Sequence, residues 1–152
     1  QARYADAESY YRRLFEIRAR QLGLDHPAMA LVHNNLGALL HRQGKFREAE
    51  PYYRRALAID EAALGSDHLT VAKDLDDLAT LLTDQDRYPD AEPLLRRALQ
   101  IRQKRLGANH AGLIPTMENY VAILRRLGRH DRAQTYEAYL RDLRSQKIRQ
   151  KE

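Results

Sequence analysis

The sequence predicts an all-α array of stacked helix pairs. Three observations carry that reading: a repeat of 42 residues, apolar residues spaced by three and four, and punctuation that recurs with the repeat. The period shows in Ala7, Ala49, Ala91 and Ala133, in Leu22-Gly23, Leu64-Gly65 and Leu106-Gly107, and in Leu40, Leu82 and Leu124. Self-similarity at a fixed period of tens of residues marks a solenoid, whose units each bury an apolar face only by stacking on a neighbour. Strand signals are absent, since no window alternates with period two.

Two kinds of helix alternate. One carries its apolar face as Ala7-Tyr10-Leu14-Ile17, Ala49-Tyr52-Ala56-Ile59, Ala91-Leu94-Ala98-Ile101 and Ala133-Tyr136-Leu140-Leu143. The other reads Ala30-His33-Leu36-Leu40, Ala72-Leu75-Leu78-Leu82 and Ile114-Met117-Tyr120-Leu124. We call the latter first-type and the former second-type. Glycine after leucine ends each second-type helix, because Gly accepts the left-handed conformation there. Asp25, Asp67 and Asn109 follow two residues later and are expected to cap the next helix by accepting backbone N–H bonds. Gly44, Asp86 and Gly128 mark the turns within each pair.

Seven helices are expected, near 2–21, 27–43, 46–63, 69–85, 88–105, 111–127 and 130–148. Each is roughly 18 residues, or about 27 Å, long. Short connections make neighbours antiparallel. Residues 1–152 read as one domain: an orphan second-type helix 2–21, pairs 27–63, 69–105 and 111–148, and a polar basic tail over 145–152. Gly112 and Pro115 predict that the sixth helix starts late, near Ile114, or kinks. The orphan helix has no first-type partner, and the chain has no initiator Met. Both lead to the expectation of a piece excised from a longer protein, with an adhesive edge on the orphan helix that favours self-association.

The formal charge is +5, yet Arg141–Glu152 alone carries +3. Basicity concentrated at an end reads as a solvated tail. There is no Cys, so disulfides and thiolate metal sites are excluded. No apolar run reaches the ~18 residues needed to span a bilayer, no signal peptide is visible, and a cytoplasmic location is expected.

The repeat resembles the tetratricopeptide repeat. Small residues follow Leu36 and Leu78 as Gly37 and Ala79, Gly44 sits at the turn, and Ala49, Tyr53 and Ala56 follow in the second-type helix. With its 42-residue period, the stretch LGLDHPAMALVHNNLGALLHRQGKFREAEPYYRRALAI is similar to the kinesin-light-chain type. The resemblance implies an open right-handed superhelix, first-type helices lining a concave groove, second-type helices forming its back, and peptides or extended protein segments as ligands. It also implies that asparagines of an Asn-Asn-Leu phrase bond the ligand backbone. That phrase is intact at Asn34-Asn35-Leu36 and becomes Asp76-Asp77 and Glu118-Asn119 in later copies. Carboxylates there accept only, where amides donate and accept.

The expected groove residues are Asn34, Ala38, His41 and Arg42, then Lys73, Asp76, Thr80, Thr83 and Asp84, then Glu118, Ala122, Arg125 and Arg126. They suggest a bipolar groove, with a ligand Lys, Arg or amine near Asp76 and Glu118. The arginine pairs Arg12-Arg13, Arg54-Arg55 and Arg96-Arg97 form a ladder. Glu8, Glu50 and Glu92 precede the first arginine of each by four residues, the favourable ion-pair spacing. Arg13, Arg55 and Arg97 lack such a partner and admit a phosphate-tracking reading, which is the less favoured one. His26, His68 and His110 recur once per repeat at helix starts, too far apart to share a metal, and read as structural. Nucleotide-binding, zinc-protease and nucleophile-elbow motifs are all absent. The expectation is a non-catalytic module without cofactor, metal or small-molecule substrate. Its partner is a protein or peptide, with an oligomerisation or intramolecular scaffold role as the alternative.

Overall fold

Seven α-helices form where the apolar periodicity placed them, as described by a computed structural model for residues 2–149, with side chains described for residues 8–145. They are α1 (Ala2–Leu22), α2 (Ala28–Arg42), α3 (Phe46–Leu64), α4 (Leu69–Asp84), α5 (Tyr88–Leu106), α6 (Ile114–Arg126) and α7 (His130–Arg149). A 3-10 turn over Ala111–Leu113 precedes α6, so the sixth helix starts at Ile114 and places Pro115 in its first turn. There the missing N–H costs nothing. Beyond Ser145, the basic tail expected over 145–152 lies outside the described side chains, as does Ala7.

The helices divide into two compact units, Gln1–Ser66 and Asp67–Glu152. In the first, Met29, Ala30 and Ile59 form a buried cluster against which Phe15 and Ala19 of α1 pack. Ala49 and Ala56 are buried, and their small side chains let α3 approach closely. Gly37 serves the same approach from α2: a Cβ there would stand 3.2 Å from the Tyr53 ring. In the second unit, Leu75, Leu78 and Leu82 of α4, Leu95 and Ala98 of α5, Met117 and Leu124 of α6, and Leu143 of α7 make the core.

The helix starts differ from the sequence reading. Histidine caps them. His68 Nδ1 accepts from the Thr70 N–H at 3.2 Å, His110 Nδ1 from the Gly112 N–H at 2.9 Å, and His26 Nδ1 from the Ala28 N–H at 3.2 Å. Asp67 stands one residue too early: His68 holds the extended cap conformation, with φ −76° and ψ 147°. The carboxylates instead turn to second-type helices, Asp25 to Arg55 and Asp67 to Lys104. The Lys104 ammonium, with Arg105 and Arg97 further off, holds the Asp67 carboxyl below its ordinary value.

The arginine ladder is also only partly regular. Arg12 pairs with Glu8 at 2.9 Å and Arg54 with Glu50 at 2.7 Å. In the third rung Glu92 turns inward. It is buried, accepts from the Tyr120 hydroxyl at 2.9 Å, and lies 3.4 Å from both Arg129 and Arg132. Burial and the Glu92 carboxylate push the Tyr120 phenol up to about 12. Lys45, before α3, reaches back to Glu8 at 2.8 Å, and Arg129, before α7, reaches back to Glu92 in the same way. The Lys45 and Arg12 hydrogen bonds hold the Glu8 carboxyl down to about 2.

Asp76 ties three helices together. Its carboxylate meets Arg102 of α5 at 2.6 Å and accepts from the Thr116 hydroxyl of α6 at 2.9 Å. One repeat on, Glu118 meets Arg144 of α7 at 2.5 Å. Burial pushes the Asp76 carboxyl above its ordinary value, with Arg102 and Thr116 pulling against it. The ionised carboxylate is therefore less favoured folded than unfolded, so ionisation of Asp76 costs stability as pH rises, a cost that Arg102 and Thr116 offset in part.

Three outcomes follow from this packing. Arg102→Ala is expected to cost about 2 to 3 kcal/mol at pH 7, because it strands a half-buried carboxylate. Asp76→Asn is expected to cost less, about 1 kcal/mol, because the amide oxygen still accepts from Arg102 and Thr116, and denaturant melts of both variants check the asymmetry. His33 is buried where the other copies place Leu75 and Met117, and neither ring nitrogen has a hydrogen-bond partner among the described residues. Burial lowers its pKa, so the unfolded chain takes up the proton first. Its contribution is whole above the unfolded value of about 6.5 and is lost as pH falls below it. His33→Leu is expected to gain about 1 kcal/mol at pH 7 and to flatten that acid limb in melts at pH 7.5 and 5.5. Gly44, Asp86 and Gly128 hold φ of 75°, 57° and 69° at equivalent turns. Gly44→Ala and Gly128→Ala should each cost about 1 kcal/mol in thermal melts. Asp86→Gly should be near neutral, because backbone relief offsets loss of the Tyr88 hydroxyl bond to Asp86 at 2.6 Å.

Candidate functional site

A recess of about 310 Å³ opens in the second unit between α4, α5 and α6. Thr80, Thr83 and Asp84 line it from α4, Tyr88 and Leu95 from α5, and Asn119, Ala122, Ile123 and Arg126 from α6. Leu95 and Ile123, each 1% exposed, make an apolar floor. The walls are polar. This is the composition of a ligand recess, apolar inside with a few placed polar groups.

Helix geometry decides which atoms those walls present. Thr80 donates its hydroxyl to the Asp76 carbonyl at 2.9 Å, and Thr83 donates to the Ala79 carbonyl at 2.8 Å. Their protons are spent inside α4, so the recess receives only their lone pairs. The α6 wall offers donors. Asn119 is exposed, and its amide has no hydrogen-bond partner among the described residues. The Arg126 guanidinium lies 5.8 Å from the centroid of the Tyr88 ring, a cation–π distance. Tyr88 is held in turn by Asp86, whose carboxylate pushes its phenol above the ordinary value. One wall thus accepts and the opposite wall donates, a pattern that one peptide group, with N–H and C=O pointing oppositely, can satisfy.

The structure places the expected groove residues as follows. Thr80, Thr83, Asp84, Ala122 and Arg126 come together at the recess. Asp76 and Glu118 do not line it: each is engaged by an arginine of the second-type helix in its own pair. Arg125 turns to Glu137 of α7 at 2.7 Å, and Lys73 to Asp77 at 2.7 Å. In the first unit, Asn34, Ala38 and His41 are half-buried and Arg42 is exposed. His41 meets the Phe46 ring edge-on at 5.6 Å and the Tyr53 ring at 6.1 Å. Asn119, Ala122 and Arg126 share a face through steps of three and four, while Glu118 and Arg125 each sit one residue, about 100°, round the helix from Asn119 and Arg126. Tyr88, Leu95 and Ile123 entered no expected set: the first opens its helix, and the other two are buried apolar residues beside the expected core faces.

 

Leu95 and Ile123 are buried like the core residues around them, so nothing in the sequence separates their role at the recess from a role in the core. Of the three arginines behind the phosphate-tracking reading, Arg55 pairs with Asp25 and Arg97 lies within the field of Asp67, while Arg13 has no carboxylate partner among the described residues. Among the described residues no helix is long and apolar enough to cross a membrane.

Comparison with known proteins agrees with this fold. The sequence profile of the tetratricopeptide repeat matches residues 1–62, 29–104 and 69–138. No curated protein matches the sequence. Among solved structures, BtubC (BKLC) from P. vanneervenii superposes with a TM-score of 0.87 at 25% identity, over 97% of this chain and 59% of that one. The chain therefore spans less than two thirds of that protein. Nearly identical TPR-like repeats of a Podosopora anserina kinesin light chain superpose with a TM-score of 0.81 at 19% identity, over 96% of this chain and 69% of that one. A single-substitution variant of those repeats gives 0.83 at 20% identity, over 97% and 70%. At these identities the Podosopora likeness speaks for the fold alone. With its 42-residue period, its alternating helix types and a family match along most of its length, this chain belongs to the tetratricopeptide repeat family.

Proposed function

We propose that this chain is a protein-interaction module that holds an extended segment of a partner protein in the recess between α4, α5 and α6. The observation that carries this reading is the division of the recess into an accepting wall and a donating wall over an apolar floor. A peptide group bridges Thr80 or Thr83 on one side and Asn119 on the other. An adjacent apolar side chain of the ligand enters above Leu95 and Ile123. Arg126 favours a carboxylate or carbonyl at its end, and Asp84 favours a donor at the other. Membership of the repeat family supports the general role, and no element of the recess calls for catalysis.

A random-peptide display selection tests this. Peptides enriched on the wild-type chain are expected to bind at least tenfold more weakly to an Asn119→Ala, Ala122→Tyr double variant. Both positions are exposed, so circular dichroism is expected to show the variant folded. A selection that enriches nothing, or peptides that bind both forms alike, contradicts the reading.

A further inference from the structure

The three helices that wall the recess are tied together one turn away from it. Asp76 of α4 meets Arg102 of α5 at 2.6 Å and accepts from the Thr116 hydroxyl of α6 at 2.9 Å. Arg102 also donates to that hydroxyl at 2.6 Å, so each of the three groups touches the other two. Thr80 stands four residues beyond Asp76, and Asn119 three beyond Thr116, so tie and recess lie on the same side of α4 and of α6. The Thr80 hydroxyl is bonded to the Asp76 carbonyl itself.

The tie is made at a cost. The Asp76 and Arg102 side chains are 19% and 15% exposed, and the carboxylate oxygen Oδ1 is buried without a hydrogen-bond partner among the described residues. One repeat on, Glu118 and Arg144 make the equivalent ion pair at 44% and 56% exposure, where desolvation costs little. Two repeats before Thr116 stands Val32, also buried, so an apolar residue suits that place in the helix. A charged bridge kept where an apolar contact would serve fixes position more than it adds strength.

We propose, resting on the peptide-binding reading of this recess, that Asp76 is its positioning residue: the ionised carboxylate holds the α6 wall at the spacing from the α4 wall that grips a ligand peptide group, and protonation loosens that grip. The surrounding charges set the sign. Asp76 faces Arg102 from α5, the uncharged Thr116 from α6, and on its own helix Asp77, which pairs with Lys73. Burial raises the Asp76 carboxyl above its ordinary value, with Arg102 and Thr116 pulling against it. It therefore takes up its proton at a higher pH than an ordinary aspartate. The added proton leaves the Arg102 guanidinium without its counter-charge and puts a donor where Oδ1 has no partner. A ligand that needs the tied walls binds the ionised form better, so its affinity falls as pH falls through that titration.

Two readouts test this. In the free chain, NMR follows the Asp76 carboxyl and the Asn119 side-chain amide against pH. The Asn119 resonance is expected to move with the Asp76 titration in the wild-type chain and to stay still in Thr116→Val, where Asp76 keeps Arg102 but loses its bond to α6. An Asn119 amide that ignores Asp76 in the wild-type chain overturns the proposal. One that follows Asp76 equally in Thr116→Val reports a through-space field and overturns it too. The second readout is affinity for an end-blocked peptide from the display selection, chosen without titratable side chains. Wild-type affinity is expected to fall several-fold between about pH 7.5 and about pH 4.5, and Asp76→Asn and Thr116→Val are each expected to lose most of that dependence. Asp84 titrates in all three forms, so the difference between them belongs to Asp76. Circular dichroism at both pH values checks that each form is folded. A pH profile common to all three forms, for a peptide that the Asn119→Ala, Ala122→Tyr variant fails to bind, overturns the tie and leaves the peptide reading standing. A peptide indifferent to that double variant overturns both.

Discussion

A helix pair of this length cannot bury its own apolar faces, and everything else in the structure depends on that shortfall. Each second-type helix has two apolar seams, one toward its own first-type helix and one toward the next. In the second unit α5 fills both, with α4 on one side and α6 on the other. Small side chains at Ala91 and Ala98 let those helices approach closely. Close approach then brings polar groups together. Asp76 reaches Arg102 and Thr116, and Tyr120 reaches Glu92. These contacts are consequences of the stacking and contribute its register more than its strength, because burying charge offsets most of the attraction.

The same stacking builds the recess. Two first-type helices, α4 and α6, stand side by side across α5, and the residues between their facing ridges have no helix above them. The hydroxyls of Thr80 and Thr83 turn back onto their own helix, and Asn119 has no such option. Asn119 is therefore the group with most to gain from a ligand. Desolvating an unpaired amide costs free energy that a ligand backbone restores, which favours a partner with regularly spaced N–H and C=O groups.

Helix positions were legible because two periods coincide, 3.6 residues within helices and 42 between them. The late start of α6 was legible because Pro115 restricts the chain in one known way. Side-chain partners were not. Asp67 is intrinsically the better cap, but His68 occupies the residue with extended backbone, and the one-residue offset hands the role to imidazole. Glu92 was expected to face Arg96, yet the third copy has Tyr120 where the others have Leu36 and Leu78. A phenol in the core needs an acceptor, and Glu92 is the carboxylate within reach. That substitution was visible in the sequence and was the available signal. Which face of α6 meets the recess depends on where α7 lies, and spacing along one helix does not contain that.

The most direct test of the recess is the side-chain amide resonance of Asn119 in an NMR titration with a peptide that the chain binds. The account predicts a large shift at that amide, with smaller ones at the backbone amides of Thr80, Thr83 and Arg126. Shifts confined to the outward faces of α5 and α7, with the Asn119 side chain unmoved, would contradict it.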